Sequence, residues 1–159
     1  GDLLQDGSVV VAVAESELLQ YARLVLLHST DGGKSWASKI LVDRDRDLGA
    51  LHSLQILDAD QDGRPDIFAA EMELYKEDTG ILRKPTWKVF LNKGGMDFAE
   101  HTVLDANLGA HQGRAGSISS PSTTDFICKN WQANSGNACE GINHIVHVSG
   151  WTAPNGASH

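Results

Sequence analysis

The sequence lacks the features that define several large classes of protein. It has only two cysteines among 159 residues, no long apolar run, and no useful stretch with the 3.6-residue periodicity of an amphipathic helix. The longest apolar segments, such as 9–14, are too short to span a bilayer, and we expect no signal peptide in this sequence. Its net charge is −8, and no basic cluster offsets the acids. These absences argue against membrane insertion and against nonspecific binding to nucleic acid or anionic membranes.

The two cysteines, Cys128 and Cys139, flank a segment rich in glycine, asparagine and serine. A zinc site would need further ligands, so the spacing favours a loop-closing disulfide, with two free thiols as the alternative. A disulfide would imply an oxidising compartment, and we therefore predict an extracellular or cell-surface location.

The most informative stretch is 58–66, which reads Asp-Ala-Asp-Gln-Asp-Gly-Arg-Pro-Asp. Its acids stand at positions 1, 3, 5 and 9, and the glycine at position 6 permits the tight turn that would make them converge. Ca²⁺ takes roughly six to eight oxygen ligands at about 2.3–2.6 Å. The predicted ligands of a Ca²⁺ ion are Asp58, Asp60, Asp62, the main-chain oxygen of Arg64, and Asp66.

This loop has two alternative interpretations. An EF-hand needs a glutamate at position 12 and a helix on each side, but position 12 is Ala69 and the flanks 54–57 and 67–70 are apolar runs of strand length. The loop could also be a solvated turn without a metal. Four acids at this spacing beside two apolar strands favour metal binding.

The loop belongs to an internal repeat. Segments in the same frame start at residues 2, 58 and 117, which are 56 and 59 residues apart. The first keeps acids at positions 1 and 5 and glycine at position 6, whereas the third keeps only Asp125, at position 9. His52 and His111 each stand six residues before a loop, and Leu-Gly-Ala recurs at 48–50 and 108–110. Agreement at several offsets indicates structural units of similar size.

The complete unit resolves into four predicted strands, at about 52–57, 66–73, 87–92 and 98–104, with a hairpin turn at 92–95. A repeat of this length with four strands is typical of the antiparallel blades of a β-propeller. The predicted fold class is therefore all-β, with two to three four-stranded blades. The predicted division is a partial blade with strands two to four at 1–47, a blade with the intact calcium loop at 48–107, and a blade with a degenerate loop at 108–159.

This count is small, because propellers usually have about four to eight blades. We therefore expect this sequence to be a segment of a longer chain. The alternatives are a ring made of several copies and a fold other than a propeller.

The pattern resembles the FG-GAP/VCBS repeat family, whose blades carry an Asp-x-Asp-x-Asp-Gly-x-x-Asp calcium loop between strands one and two. Asp58, Asp60, Asp62, Gly63 and Asp66 match that motif. Separately, 29–36 resembles the Asp-box of sialidase-like propellers, a structural hairpin. The resemblance implies a propeller and a calcium ion, and it leaves the activity open.

Candidate ligand-binding residues cluster at the end of the hairpin away from the calcium loop. Pairing Leu57 with Ile67 would place His52 opposite Met72, between two glutamates. Such ends of propeller strands often carry ligand sites. The predicted ligand-binding residues are His52, Glu71, Glu73, His111 and Trp131, with Glu15, Glu17, Tyr75 and Asn130 nearby.

These residues predict a module that binds a carbohydrate or an extracellular protein. An alternative is part of a polysaccharide lyase or hydrolase in which a histidine acts as base or acid. A second alternative is a structural subunit that assembles with other copies of itself. In the simplest interpretation, His52 and His111 are only hydrogen-bonding spacers between blades; a transition-metal site there would lack a third ligand.

Overall fold

The computed structural model describes residues 3–16, 22–44, 49–72, 85–105, 108–129 and 145–154. All the regular elements in these ranges are β-strands, which confirms the all-β prediction. No helix in these ranges is both long and apolar enough to cross a membrane. The strands are β1 (Val9–Ala14), β2 (Leu24–Ser29), β3 (Ala37–Val42), β4 (Leu51–Leu57), β5 (Asp66–Glu71), β6 (Thr86–Gly94), β7 (Asp97–Asp105), β8 (Gln112–Gly116), β9 (Thr124–Lys129) and β10 (Ile145–Trp151).

The strands form three antiparallel sheets: a first sheet β1-β2-β3, a central sheet β4-β5-β6-β7, and a third sheet β8-β9-β10. The central sheet contains the four strands predicted for the complete unit. Its β6–β7 turn falls slightly later than predicted, because Gly94 and Gly95 take φ angles of 100° and 58° that favour glycine. The strands that the structure describes do not close into a ring.

The predicted register of β4 and β5 is wrong by one residue. Leu57 lies opposite Asp66 rather than Ile67, and the register shifts between Leu51 and Ser53. The physical reason lies in Asp66, which is at once the last loop position and the first residue of β5. Its side chain turns back to bond the loop, so pairing begins at Asp66.

The central sheet is covered on both faces. Ile67 and Ala69 of β5 belong to a core shared with Val10, Leu24 and Leu26 of the first sheet. The alternate residues of β5 belong to a second core shared with β9 of the third sheet, where the rings of Phe68 and Phe126 lie 4.9 Å apart. This double coverage explains why β5 is buried throughout its length.

The repeat in the sequence has a counterpart in the backbone. Gln5 and Gly7 take φ angles of 57° and 79°, and the residues 56 positions later, Gln61 and Gly63, take 63° and 89°. Each of these glutamines also reaches the following loop: the side-chain amide of Gln5 donates to the main-chain oxygen of Gly63 at 2.6 Å, and that of Gln61 donates to the Ser117 hydroxyl at 3.4 Å. The three loops therefore lie in a row at one end of the stacked sheets.

Candidate metal centre

The β4–β5 loop brings three carboxylates together. Its two left-handed residues, Gln61 and Gly63, coil the backbone tightly enough that one oxygen each of Asp58, Asp60 and Asp66 lies within 4.8 Å of the other two. Asp58 is exposed, Asp60 is half-buried and Asp66 is buried. Two oxygens on opposite sides of one Ca²⁺ ion stand about 4.6–5.2 Å apart, so this group is compact enough to share one cation.

Backbone N–H groups of the loop hold the carboxylate of Asp58, the exposed member of the group. Asp58 accepts hydrogen bonds from the backbone nitrogens of Asp62, at 3.1 Å, and Gly63, at 2.9 Å. These contacts hold the Asp58 carboxylate on the inside of the turn.

Asp62, the fourth predicted carboxylate ligand, lies apart from this group. Its carboxylate accepts from the Arg64 backbone nitrogen at 2.8 Å and forms an ion pair with the Arg64 guanidinium. The same guanidinium donates to the main-chain oxygen of Asn92 at 2.8 Å, which ties the loop to β6. Ligation by Asp62 and by the main-chain oxygen of Arg64 therefore stays a prediction.

The electrostatics of the group suit a cation. Burial raises the pKa of Asp66 to about 6, although hydrogen bonds from three backbone N–H groups oppose this change. Burial also raises the pKa of Asp60, and the neighbouring charges of Asp62 and Asp58 add to that effect. For both residues the ionised carboxylate is disfavoured in the folded protein, and a bound cation would offset that electrostatic cost. Carboxylate oxygens are hard donors of the kind that Ca²⁺ and Mg²⁺ prefer.

Asp66 is also the centre of a buried hydrogen-bond network that joins all three sheets. One of its oxygens accepts from the Asn92 backbone at 2.8 Å, and the Asn92 side chain donates to Leu3 beside the first sheet at 3.1 Å. The other oxygen accepts from the Ala59 backbone at 2.8 Å, and the Ala59 carbonyl accepts from the Thr124 hydroxyl of the third sheet at 2.8 Å. All five residues are at most 3% exposed. The loop is therefore coupled to both neighbouring sheets.

Asp125 occupies the same place in the third loop. It accepts from the backbones of Ile118 and Gly150, at 3.0 and 2.8 Å, and from the Ser119 hydroxyl at 2.7 Å. The Ser119 hydroxyl is the main reason that the pKa of Asp125 falls to about 2. Serines replace the acids at positions 1 and 3, so Asp125 is hydrogen-bonded to its own loop and to β10 rather than grouped with other acids of the loop, and the Nε2 atom of His147 lies 3.9 Å from it. The sequence showed this acid without indicating these contacts.

At the other end of β4, the structure brings His52 and His111 together. Their rings stack with centroids 4.0 Å apart and planes inclined by 25°. The Nδ1 atom of His52 lies 2.7 Å from the main-chain oxygen of His111, across the boundary between the central and third sheets. Both rings are half-buried. This contact joins the central and third sheets and leaves part of each ring accessible.

Glu71 lies in the interior rather than on an open face. Its side chain is 1% exposed and accepts from the backbone and hydroxyl of Thr86, at 2.8 and 2.6 Å, and from the backbone of Gly49. It therefore ties together the segments that lead into β4 and β6. Glu15 plays the matching part in the first sheet, where hydrogen bonds from Arg23 hold its pKa at about 2.

Several of the predicted ligand-binding residues fall in parts of the chain that the structure does not describe. Glu73 and Trp131 lie outside the described residues, as do Glu17, Tyr75 and Asn130.

Cys128 is buried on β9, where burial raises the pKa of its thiol to about 12. Its predicted partner Cys139 lies outside the described residues, so the disulfide stays a prediction.

The Asp-box-like segment forms a compact turn between β2 and β3. Asp31 accepts from the hydroxyls of Ser29 and Ser35 at 2.8 and 2.6 Å, and these bonds, led by that from Ser35, hold its pKa far below the usual range. The indole nitrogen of Trp36 closes the turn by donating to the main-chain oxygen of Gly33 at 3.1 Å. The acid is occupied by its own turn, which suits a structural role.

Comparisons with protein-family models, with curated proteins and with solved structures gave no match.

Proposed function

We propose that this chain is a Ca²⁺-stabilised segment of a β-propeller of FG-GAP/VCBS type that acts as an extracellular binding module. The observation that carries the proposal is the convergence of Asp58, Asp60 and Asp66 in a loop between two paired strands. The four-stranded central sheet, packed face to face with a neighbour on each side, supports the propeller interpretation.

In this proposal the ion has a structural task. Asp58, Asp60 and Asp66 would hold it, with Asp62 and the main-chain oxygen of Arg64 as the remaining predicted donors. The ion supplies positive charge beside acids that the fold brings together at an electrostatic cost. Because Asp66 also belongs to the network between the sheets, the ion should steady the loop and both of its neighbours.

A calcium titration tests this part of the proposal. We expect one Ca²⁺ per chain by isothermal titration calorimetry, and an increase in the free energy of unfolding of about 2.7 kcal/mol when free Ca²⁺ is 100 times the dissociation constant. Asp60→Asn should remove most of this increase. Asp97→Asn, an exposed acid at the start of β7, is the matched control and should leave it unchanged. Equal unfolding curves in EDTA and in excess Ca²⁺ for the wild-type protein would contradict the proposal.

The binding surface is proposed at the end of the sheets that holds His52 and His111. That end lies at the opposite end of β4 from the metal loop, so a ligand there would not compete with the ion. Partly accessible imidazoles offer hydrogen bonds to sugar hydroxyls or to a protein backbone. A carbohydrate or an extracellular protein is the proposed ligand class.

A glycan array and a panel of matrix proteins test this second part. Binding should weaken in His111→Ala and persist in Ile118→Ser, an exposed residue at the loop end of the molecule. The proposal fails if the wild-type protein binds nothing at millimolar concentration, or if both variants bind as the wild type does.

A further inference from the structure

Arg64 occupies the one acid of the β4–β5 loop that lies apart from the other three. Its backbone nitrogen donates to Oδ1 of Asp62 at 2.8 Å, and its guanidinium forms an ion pair with Oδ2. The side chains of Arg64 and Asp62 are only 31% and 19% exposed, so water screens this pair less than it screens a pair on an open surface. Both carboxylate oxygens of Asp62 therefore have Arg64 as a partner.

The guanidinium of Arg64 is also held from its other side. Its Nε atom donates to the main-chain oxygen of Asn92 at 2.8 Å, and Asn92 is buried on β6. A planar guanidinium that is bound at two of its nitrogens keeps one orientation, so little further side-chain entropy is lost when it pairs with a carboxylate. The pair with Asp62 is therefore built into the packing of the loop on the central sheet.

The repeat shows where this arginine stands among the three loops. Position 7 is Arg64 in the central loop, Ser8 in the first loop and Thr123 in the third. The central loop is also the one with acids at all four positions, 1, 3, 5 and 9. The arginine thus occurs where the negative charges are most numerous, and its positive charge offsets part of their mutual repulsion.

The same contact has a consequence for a bound cation. The affinity of calcium loops depends on the number of charged ligands and on the rigidity of the site. Before Asp62 could ligate an ion, it would have to give up the guanidinium, and the free energy of that ion pair would be subtracted from the free energy of binding. The charge of Arg64 would in addition repel a cation in the loop.

We propose that Arg64 sets the calcium affinity of the β4–β5 loop by competing with the ion for Asp62. This inference rests on the calcium site proposed above and names the residue that regulates it. Arg64 stabilises the loop by neutralising Asp62, and it weakens the binding of Ca²⁺ for the same reason. The site should then fill at the calcium concentrations that suit extracellular modules, for which dissociation constants are about 10⁻⁴–10⁻³ M.

Arg64→Gln tests the competition. The amide nitrogen of glutamine stands at the same place along the side chain as Nε of arginine, so the variant can keep the bond to Asn92 while it loses the charge and the pair with Asp62. Isothermal titration calorimetry should show Ca²⁺ binding about five- to tenfold more tightly than in the wild type. In EDTA, the urea midpoint of the same variant should fall. A purely structural role for Arg64 would instead lower both the stability and the affinity.

The matched control is Arg114→Gln, which removes an exposed arginine from β8 and should leave the calcium affinity unchanged. A double-mutant cycle then shows whether Arg64 acts through Asp62. In an Asp62→Asn background, Arg64→Gln should give no gain in affinity. If Asp62→Asn binds Ca²⁺ too weakly to measure, the side-chain NMR signals of Arg64 replace the cycle, and they should shift as Ca²⁺ is added to the wild type.

Three results would overturn the proposal while leaving the calcium site intact. They are binding in Arg64→Gln that is no tighter than in the wild type, a gain that persists in the Asp62→Asn background, and Arg64 signals that do not move with Ca²⁺. If neither the wild type nor Arg64→Gln binds Ca²⁺ at millimolar concentration, the calcium site itself is refuted, and this inference with it. Circular dichroism establishes that each variant is folded.

Discussion

Replacing Thr124 with valine should destabilise the protein, whereas the same replacement at Thr123 should not. The Thr124 hydroxyl is buried and donates to the main-chain oxygen of Ala59 at 2.8 Å, linking the third sheet to the β4–β5 loop. The hydroxyl oxygen of Thr123 is also buried, but it has no hydrogen-bond partner in the described part of the chain. The two substitutions are chemically identical and adjacent, so their difference isolates the hydrogen bond.

The expected magnitudes follow from the cost of unpaired buried groups. Thr124→Val keeps the shape of the side chain and leaves the Ala59 carbonyl without its donor, which should cost about 1–3 kcal/mol. For a chain of this size, that is a fall of roughly 2–12 °C in melting temperature. Thr123→Val replaces an unsatisfied hydroxyl with a methyl group, which should be neutral or stabilising by up to about 1 kcal/mol.

Urea denaturation, followed by circular dichroism in EDTA, measures both changes without any contribution from a metal. Hydrogen exchange should in addition show faster exchange near Ala59 and in β9 for Thr124→Val alone. If the two variants have equal stability, the hydroxyl of Thr124 does not couple the sheets, and the proposed network through Asp66 ends at Ala59.

Gly113→Ala should lower the free energy of unfolding by about 1–3 kcal/mol through overpacking, because the new Cβ would lie 2.7 Å from the buried sulfur atom of Cys128. Gly116→Ala is the control: its new Cβ has nothing within 4 Å, so the melting temperature should stay unchanged. Equal melting temperatures would refute this close approach of β8 to its neighbours. Asn92→Ala should cost about 2–4 kcal/mol in urea denaturation, because its buried side-chain amide donates to two main-chain oxygens at 3.1 Å. An unchanged denaturation midpoint would show that these bonds contribute nothing net. The folded protein holds the pKa of Asp125 at about 2, below its ordinary 3.8, so this group contributes stability at higher pH that is lost as the pH falls from about 4 towards 2. Asp125→Asn should flatten this part of the acid denaturation curve. An unaltered slope would show that Asp125 does not contribute this pH-dependent stability.

The fold could be predicted from sequence to the level of strands, because the strand signals are local. The runs around the loop are apolar and of strand length, and the glycines of the β6–β7 hairpin mark its turn. The register was not accessible in the same way. It depends on the Asp66 side chain bonding to the Ala59 backbone within the loop, a contact that the apolar pattern does not encode.

The candidate site was predicted less completely, because side-chain partners decide it. The spacing of acids in the loop indicated convergence, and the structure brings three of them together. Asp62 pairs instead with Arg64, a competing cation only two residues away. Glu71 had the pattern of an exposed acid at a strand end, yet it binds Gly49 and Thr86, which are distant in sequence. Its equivalence to Glu15 in the repeat was the one available signal of a shared structural role.

The aspartate at position 9 of the loop has two separable tasks. Asp66 and Asp125 both accept hydrogen bonds from the backbone at position 2 of their loop and from the backbone near the end of the third strand of the unit. The third loop keeps this arrangement with serines where the central loop has Asp58 and Asp60. The position-9 acid therefore serves the fold in both units, and the proposed metal binding would require the two acids that only the central loop adds beside it. It follows that loss of Asp58 or Asp60 should remove the ion and spare the sheets, whereas Asp66 cannot be replaced without affecting both.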